Sequence, residues 1–415
     1  MVRVTPLYLV LPLAVLAALS AGAGVFYGVV LWRIARSART LPTARDGLSL
    51  PPPKEGWPSV CVVIPAHNEE AVISELVRSL VTQDYPRLAI VFALDRCTDG
   101  TASVVRSIVG NDPRVEIVEI ASCPEGWAGK THAAWRGVQD ARAPSGADML
   151  LFADADTVFD PGLVRAAVAL ALARGLDLLS LLSELTSEHW FEKLVQPAAG
   201  FELIRQYPLD IVNRAERPRA FANGQFMLFR RWLYERIGGH ERVKAELLED
   251  IAFARWLDKE KKRITSRWGV LMPGGMLRCR MYRSWDAFAR GWKRIYTEAA
   301  LRRPGQLGEW AWRGRLTGVL LPIAPPVCGL AGAVVRARGD APLGWVLMGV
   351  GAASLTIVIA ALSRLYRDQG APLRWALLYP VGAWIVTRLL AEAASDLRKG
   401  VKTRWAGREY VREAR

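Results

Sequence analysis

Uncharged, apolar stretches stand at both ends of the chain and enclose a more polar middle region. The first runs from Leu7 to Trp32 without a charged side chain, and at about 1.5 Å per residue it exceeds the roughly 30 Å hydrocarbon core of a bilayer. It predicts a transmembrane helix within residues 1–35. Residues 315–395 predict C-terminal membrane segments, because they contain three further apolar stretches: Leu316 to Val335, Ala341 to Ser363 and Trp375 to Ala394.

The predicted membrane segments differ in how clearly their sequences indicate a continuous spanning helix. A cleaved signal peptide is an alternative for the first segment, but its apolar run continues well past the small residues near its middle. Pro322 and the pair Pro325-Pro326 predict a broken helix in the next segment, either kinked or re-entrant. The last segment contains Arg388 and Glu392, so it either spans with these side chains snorkelling or lies at the interface.

The distribution of basic residues predicts the orientation in the membrane. Arg3 alone precedes the first apolar segment, whereas a cluster follows it: Arg33, Arg36, Arg39 and Arg45. The positive-inside rule therefore places the middle region in the cytoplasm. Residues 396–415 form a second basic cluster, expected to be a cytoplasmic tail: Arg398, Lys399, Lys402, Arg404, Arg408, Arg412 and Arg415. If the middle region and the tail lie on the same side of the membrane, only two of the three C-terminal stretches can cross it.

Short apolar runs alternate with amphipathic ones in residues 59–282, after a proline-rich linker at 36–58. The pattern predicts strands at Val60 to Ile64, Leu88 to Leu94, Val115 to Ile120 and Met149 to Ala153, with helices at Glu70 to Thr82 and Ala102 to Ile108. This alternation is typical of an α/β fold with a mostly parallel sheet flanked by helices. Ligands in such folds bind outside the carboxyl ends of the strands.

Polar clusters follow three of the predicted strands, at Pro65 to Glu70, Asp95 to Thr101 and Asp154 to Thr157. In an extended segment, Asp154 and Asp156 would lie on one face, where both could share a divalent cation with a ligand's phosphates. The alternative is that they only cap a helix. The downstream pair Glu249-Asp250 is a second acidic candidate, or else the solvated start of a helix.

The composition narrows the possible partners. The net charge of +15 could favour binding of nucleic acid, anionic lipid headgroups or a polyanionic substrate. Many arginines lie beside apolar segments, and no basic helix or aromatic-basic strand motif is present, so we expect a membrane and no nucleic acid. The five cysteines are scattered without metal-ligand spacing and indicate reduced thiols in the cytosol.

Four ordered motifs in residues 59–300 resemble glycosyltransferase family 2: Val62 to Glu70, Asp95 to Thr101, Asp154-Ala155-Asp156 and Glu249-Asp250. Three further motifs are similar to its membrane-bound ceramide, carotenoid and hopene-associated members: Gly126 to Lys130, Phe221 to Gln225 and Gly238 to Glu241. The resemblance implies a GT-A fold, a nucleotide-sugar donor, a divalent metal (Mg²⁺ or Mn²⁺) and inverting transfer to a lipid-type acceptor.

The resemblance also implies roles for residues on the donor side. Asp156 would ligate the metal directly, and Asp154 would reach the ribose or the metal. Asp95 would accept hydrogen bonds from the base or ribose. The nucleotide pocket would be lined by Pro65, Ala66, Asn68 and Glu69. Lys130, in a glycine-flanked loop, would pair with the diphosphate, unless it is an ordinary exposed lysine.

The catalytic base expected from the resemblance is Asp250, with Glu249 beside it, because an inverting displacement must remove the proton of the acceptor hydroxyl. The candidate acceptor-side residues are Asn223, Gly224, Gln225, Arg280, Arg283 and Trp285. Polymer-forming and glucosylceramide-forming members usually carry Gln-x-x-Arg-Trp or Arg-x-x-Arg-Trp, whereas here Ser284 is inserted before Trp285. Residues 283–314 then predict an amphipathic interfacial helix or, equally, a helix docked on the sheet.

The predicted function is transfer of a sugar, expected from a UDP-sugar, to a lipid or lipid-linked acceptor at the cytoplasmic leaflet of the inner membrane. A polysaccharide synthase of the same family is one alternative. Asp154 to Val158 also resembles the nucleophile motif of haloacid-dehalogenase phosphohydrolases, although that motif normally begins its domain. A non-catalytic membrane scaffold with a nucleotide-binding fold is the third alternative.

Overall fold

The computed structural model describes residues 7–214, 219–405, 408–410 and 414. Its strands are β1 (Val60–Ala66), β2 (Leu88–Asp95), β3 (Val115–Ile120), β4 (Met149–Phe152), β5 (Thr157–Phe159), β6 (Leu178–Leu181), β7 (Glu184–Leu185), β8 (Met227–Arg230), β9 (Trp268–Leu271), β10 (Leu277–Cys279), β11 (Thr403–Trp405) and β12 (Arg408–Tyr410). Its α-helices are α1 (Leu7–Thr40), α2 (Ile73–Val81), α3 (Thr101–Val109), α4 (Gly129–Asp140), α5 (Ala143–Gly146), α6 (Leu163–Ala173), α7 (Trp190–Leu194), α8 (Gln196–Gln206), α9 (Leu209–Val212), α10 (Arg231–Arg236), α11 (Gly239–Arg242), α12 (Glu249–Glu260), α13 (Trp285–Ala299), α14 (Pro304–Gly314), α15 (Leu321–Ala337), α16 (Ala341–Asp368) and α17 (Tyr379–Arg398).

Seven strands form the central sheet in the order β3-β2-β1-β4-β8-β6-β9. The first four run parallel and β9 runs parallel to β6, whereas β8 is antiparallel to both of its neighbours. All seven residues of β1 are buried, as expected for a strand covered on both faces. The predicted α/β class, with a mostly parallel sheet flanked by helices and apolar helices at both ends of the chain, is confirmed.

The two faces of β1 pack on different helices. Val62 and Ile64 belong to a core that includes α2, whereas Val63 packs with Ala134 of α4 on the opposite face. A Cβ atom at Gly137 of α4 would lie 2.7 Å from the Val63 side chain, so only glycine permits this close approach. The contact holds α4 against the sheet and fixes the position of its first turn.

A smaller sheet in the order β5-β10-β7 lies beside the carboxyl end of β4. The residue pairs Cys279↔Thr157 and Leu277↔Phe159 join β10 to β5 in antiparallel register. Because β5 begins directly after Asp156, this pairing brings the segment before α13 against the turn that follows β4.

Four helices in the described residues are long and apolar enough to cross a membrane, by length and composition: Tyr8–Thr40, Pro304–Ala337, Ala341–Asp368 and Leu373–Arg398. α1, α15 and α16 contact one another as a bundle. Small residues allow α15 and α16 to approach closely, since a Cβ atom at Gly351 would lie 2.6 Å from the Gly329 nitrogen.

The re-entrant form predicted for the second apolar segment is wrong, because the helix continues through the prolines to Ala337, whereas a kink there stays a prediction. A π-helical turn at Arg315–Leu320 precedes Pro322, which lies in the first turn of α15. The wider π turn and the first-turn position accommodate this proline ring. Pro325 and Pro326 lie inside the helix, where close packing on α16 holds the backbone in place.

α17 packs most extensively on α14 and also on α13 and the π-helical turn at Arg315–Leu320, whereas its contacts with α1, α15 and α16 are fewer. An ion pair of 2.7 Å joins Lys293 of α13 to Asp396 of α17. The apolar face of α13, which includes Phe288, Trp292 and Tyr296, is buried within the protein. This placement favours the docked-helix interpretation of α13; contact with a bilayer surface stays a prediction.

The ends of the chain are described only in part. In the predicted basic tail, Arg404 and Arg408 lie in the antiparallel pair β11 and β12. Arg3, Arg412 and Arg415 lie outside the described residues. The predicted domain boundaries and the side of the membrane occupied by the tail therefore stay predictions.

Candidate functional site

One cavity of about 590 Å³ lies where the parallel strands end. It is lined by every candidate donor-side residue: Pro65, Ala66, Asn68, Glu69, Asp95, Lys130, Asp154 and Asp156. Glu249 and Asp250 line the same cavity, as do five of the six acceptor-side candidates: Asn223, Gly224, Gln225, Arg280 and Arg283. Acidic residues far apart in sequence are thus brought to one site.

The sixth acceptor-side candidate, Trp285, does not line this cavity. Its ring stacks on Phe288 with centroids 5.6 Å apart and packs 5.2 Å from Trp190. Since Trp285 is the first residue of α13, the helix turns this side chain into an aromatic cluster between α7 and α13.

Asp154 and Asp156 lie in a turn between β4 and β5, so the predicted extended geometry is wrong. The Thr157 hydroxyl donates to the Asp154 carbonyl at 2.7 Å, which tightens the turn. The Arg280 backbone N–H donates to the Asp156 carbonyl at 3.0 Å. The turn and the adjoining β10 segment therefore present both carboxylates to the cavity without an extended backbone.

Carboxylates crowd this part of the cavity. Burial and then the neighbouring Asp154 raise the pKa of Asp156 above the usual carboxyl range. Burial, followed by the charges of Asp156 and Asp154, raises the pKa of Glu69 to about 8. The site therefore holds excess negative charge that a bound cation would relieve.

Lys130 supplies positive charge at the centre of the site. It lies in the first turn of α4, and its Nζ is 2.5 Å from Asp154 Oδ1 and 2.5 Å from Glu249 Oε1. Burial opposes the charged ammonium, but the two carboxylates outweigh this effect and raise the pKa of Lys130. The alternative of an ordinary exposed lysine is wrong, whereas its predicted contact with a diphosphate stays a prediction.

Asp250 is held by the backbone. Its Oδ2 accepts the Gly224 N–H at 2.7 Å, and its Oδ1 accepts the Ile251 N–H at 2.7 Å. Burial and then the charge of Glu249 raise its pKa. Glu249 is only 4% exposed, so the pair is not the solvated helix start that was the alternative. A Cβ atom at position 224 would lie 3.1 Å from Lys130 Nζ and 3.3 Å from Asp250 Oδ2, so a side chain there would crowd both groups.

Asp95 has a partner that the sequence pattern did not indicate. Its carboxylate accepts hydrogen bonds from Arg96 Nε at 3.0 Å and Nη2 at 2.5 Å, and it is 1% exposed. Arg96 adopts a left-handed backbone with φ +48°, which turns its side chain back onto the preceding residue. Binding of a base or ribose by Asp95 stays a prediction.

Two further polar contacts at the site also had no sequence signal. Gln225 Nε2 lies 3.1 Å from Cys279 Sγ, which donates to Asp156 Oδ1 at 3.3 Å. At the start of α4, the Gly129 N–H donates to the hydroxyl of Tyr410 at 3.4 Å, so the C-terminal segment lies beside the donor-side residues. Both contacts join residues more than 50 positions apart, beyond the reach of local pattern analysis.

A divalent cation fits the chemistry of this oxygen-rich cavity. Among the described residues no group of three or more His, Cys, Asp or Glu side chains is arranged to hold a metal by itself. Mg²⁺ is commonly bound by one or two carboxylates together with substrate phosphates, and Asp154 and Asp156 provide such a pair. The expected site is therefore completed by the donor.

Sequence relatives were found among curated proteins. A 4,4'-diaponeurosporenoate glycosyltransferase of Staphylococcus aureus (strain MRSA252) is 26% identical over 253 residues, which are 59% of this chain and 63% of the relative. The protein of that name from strain bovine RF122 / ET3-1 is 25% identical over 252 residues, with the same shares. The matched region therefore covers less than two thirds of either relative.

Similar solved structures include the mannosyltransferase PcManGT from Pyrobaculum calidifontis in complex with GDP-Man and Mn²⁺. It is 18% identical in sequence, with a TM-score of 0.45. The match covers 92% of this chain and 98% of that one. Residues 1–349 of TarS from S. aureus give 16% identity, a TM-score of 0.40 and coverage of 85% and 96%.

The strongest assignment comes from the sequence model of the family described as glycosyltransferase like family 2, which matches residues 58–293. This match spans more than half of the chain and includes β1, the turn after β4, Lys130 and the Glu249-Asp250 pair. The chain belongs to the glycosyltransferase family 2 group of proteins.

Proposed function

We propose that this protein transfers a sugar, with inversion, from a nucleotide-sugar to a lipid or lipid-linked acceptor at the cytoplasmic leaflet, with a UDP-sugar as the expected donor. The observation that supports this most is that one cavity is lined both by the Asp154 and Asp156 pair and by the buried carboxylate of Asp250. The relatives named 4,4'-diaponeurosporenoate glycosyltransferase support an acceptor of the lipid class.

On the donor side, Asp154 and Asp156 would hold a divalent cation together with the donor's diphosphate. When bound, the cation would offset the negative charge that grows on the leaving nucleoside diphosphate. Lys130 would add an ammonium donor at the same place, after exchanging one of its two carboxylate partners for a phosphate oxygen. Asn68, Glu69 and Asp95 would orient the nucleoside.

On the acceptor side, Asp250 would accept the proton of the attacking hydroxyl. The hydroxyl oxygen forms a bond to the anomeric carbon as the bond from that carbon to the diphosphate oxygen breaks on the opposite face. The Gly224 and Ile251 N–H groups hold the Asp250 carboxylate in place, so it needs little reorganisation during proton transfer. Lys130 would keep Glu249 from competing for the same proton.

The alternative functions differ in their support. Family membership and the position of β1, α4 and Lys130 before Asp154 give the phosphohydrolase no support. The intact set of acidic residues in one cavity argues against a non-catalytic scaffold. A polysaccharide synthase would share the donor side, and the two activities differ in whether labelled sugar remains as a single unit on a lipid.

The packing of the helices supports a specific topology. We propose that α1, α15 and α16 cross the membrane and that α17 does not, because α17 lies on α13 and α14 and is tied to Lys293. With an odd number of crossings and an external N-terminus, the catalytic region and the C-terminal tail would both be cytoplasmic, which is the orientation that the arginine clusters favour.

A transfer assay tests the proposed function. Purified protein in detergent is incubated with Mn²⁺ or Mg²⁺, labelled UDP-sugars and GDP-mannose, and a bacterial lipid extract. We expect label in the lipid fraction as single sugar units. Asp250→Asn should abolish transfer and spare donor binding, whereas Asp156→Ala should weaken donor binding.

The matched control is Asp258→Asn, since Asp258 lies on the same helix as Asp250 and pairs with Lys261 at the surface. Transfer by Asp250→Asn at the rate of the Asp258→Asn control would refute the assigned base. Released phosphate without labelled lipid would refute the proposed reaction.

A further inference from the structure

The catalytic cavity extends beyond the polar site along one face of α8. Gly200, Leu203 and Ile204 line it at the spacing i, i+3 and i+4 that places side chains on one side of a helix, and Tyr207, the residue that follows α8, lines it too. We call these four residues the apolar wall. Their spacing indicates that α8 presents a continuous, mainly apolar face to the same cavity that contains Asp250.

Apolar residues from other elements line the cavity together with the apolar wall. Phe221 stacks on Tyr207 with ring centroids 4.7 Å apart, and Ile295 of α13 also lines the cavity. Phe221 is two residues before Asn223, which lies in the polar site. The apolar lining is therefore continuous with the place where the acceptor hydroxyl must lie.

The opposite face of α8 contacts helices that are candidate membrane spans by length and composition. The Phe201 ring lies 6.3 Å from Tyr379 of α17, and Arg205 lies over Phe26 of α1 and donates to Thr317. α8 thus lies between the cavity and parts of helices that are apolar enough to span a bilayer.

Gln369, in the turn after α16, lies at the edge of the apolar wall. Its Nε2 donates to the Pro197 carbonyl at 3.1 Å, and its Oε1 lies 2.6 Å from where a Cβ atom of residue 200 would be. Gln369 and Asp368 both line the cavity and are partly exposed. The hydrogen bond from Gln369 to Pro197 therefore ties the start of α8 to the end of α16, a candidate membrane helix, at the edge of the cavity.

We propose that the apolar wall binds the extended hydrocarbon chain of the acceptor and that the chain enters beside Gly200 after the flexible Gln369 side chain, which covers this glycine, moves aside. The proposal rests on the proposed function and specifies it: the acceptor carries its hydroxyl at the end of a long apolar chain. Burying such a chain would favour longer acceptors by about fourfold for each methylene group that enters the wall.

Photochemical labelling tests this binding site without requiring transfer. The full-length protein in detergent is irradiated with hexadecanol carrying a diazirine near its apolar end, and the labelled peptides are identified by mass spectrometry. We expect label on residues 196–207. Leu203→Trp should reduce that label at least tenfold, because the indole fills the space beside the wall.

Gly200→Met is the second blocking variant. Methionine is a good helix former, and the atom that it would displace is the flexible end of Gln369, so α8 is expected to stay folded. Leu377→Trp is the control, since Leu377 is 72% exposed and does not line the cavity. Melting temperatures measured in parallel identify any variant that has lost its fold.

Three outcomes separate the claims. Loss of label in both blocking variants, with label kept in Leu377→Trp, supports the proposal. Label outside residues 196–207, or label unaffected in folded blocking variants, overturns it and leaves the proposed transfer reaction standing. Label on α8 in a protein that transfers no sugar to any lipid supports the binding site and refutes the proposed function.

Discussion

The two short ion pairs of Lys130 make a quantitative prediction about stability. Replacing Lys130 by methionine leaves the Glu249 carboxylate, whose side chain is 5% exposed, without its cation. Removing one partner of a buried pair typically costs about 3–5 kcal/mol, because the other charge remains buried. Since Lys130 itself is 29% exposed, we expect the lower end of this range, about 3 kcal/mol.

A double-mutant cycle isolates the interaction. Glu249→Gln removes the charge that Lys130→Met leaves unpaired, so the double variant should recover part of the loss. We expect a coupling energy of about 1–3 kcal/mol between the two positions. Intrinsic tryptophan fluorescence during thermal unfolding in detergent would measure it, at roughly 2–4 °C per kcal/mol.

The matched control is the surface ion pair between Arg106 and Glu119, whose side chains are 55% and 57% exposed. The corresponding cycle, Arg106→Met with Glu119→Gln, should give a coupling of only about 0–1 kcal/mol. If the Lys130 and Glu249 cycle gives a coupling no larger than this control, the reasoning about a buried charge cluster is refuted.

Three further predictions follow from the site and the helices. The pKa of Asp250 is raised to about 6, and only its carboxylate form accepts a proton. We therefore expect kcat/KM to fall as the pH drops through about 6. A flat pH profile between pH 5 and 7 would contradict the assignment of Asp250 as the base. Chelation with EDTA should abolish transfer and added Mn²⁺ or Mg²⁺ should restore it, whereas full activity in EDTA would show that the carboxylates act without a metal. A reporter fused after residue 398 should report a cytoplasmic location, and a periplasmic signal would mean that α17 crosses the bilayer.

The sequence predicted the buried parallel strands closely. The predicted ends of β1, β2 and β4 lie within two residues of the observed ends, and both predicted ends of β3 match the structure. β1, β2 and β4 are buried almost throughout, and all four strands are bounded by polar residues or turns, so composition marks where they begin and end. The grouping of the acidic residues was predictable for a related reason, since carboxyl ends of parallel strands share one edge of a sheet.

Features that depend on tertiary packing were not predictable from local patterns. The segment with Pro322, Pro325 and Pro326 stays helical because a π turn precedes it and α16 packs against it. Neither feature can be recognised from the local sequence. Trp285 lies in an aromatic cluster formed with Trp190, about 95 positions earlier in the chain. The partners of Lys130 are likewise supplied by the turn after β4 and by α12, so its position between two carboxylates appears only when the elements are assembled.

The hydrogen bond between the Gly129 N–H and the Tyr410 hydroxyl has a practical consequence for protein engineering. An affinity tag or fluorescent protein fused beyond residue 410 would emerge next to the first turn of α4 and could crowd access for the nucleotide. Recombinant versions intended for kinetic work are better served by a cleavable tag at that end. Activity measured before and after cleavage would then reveal any obstruction.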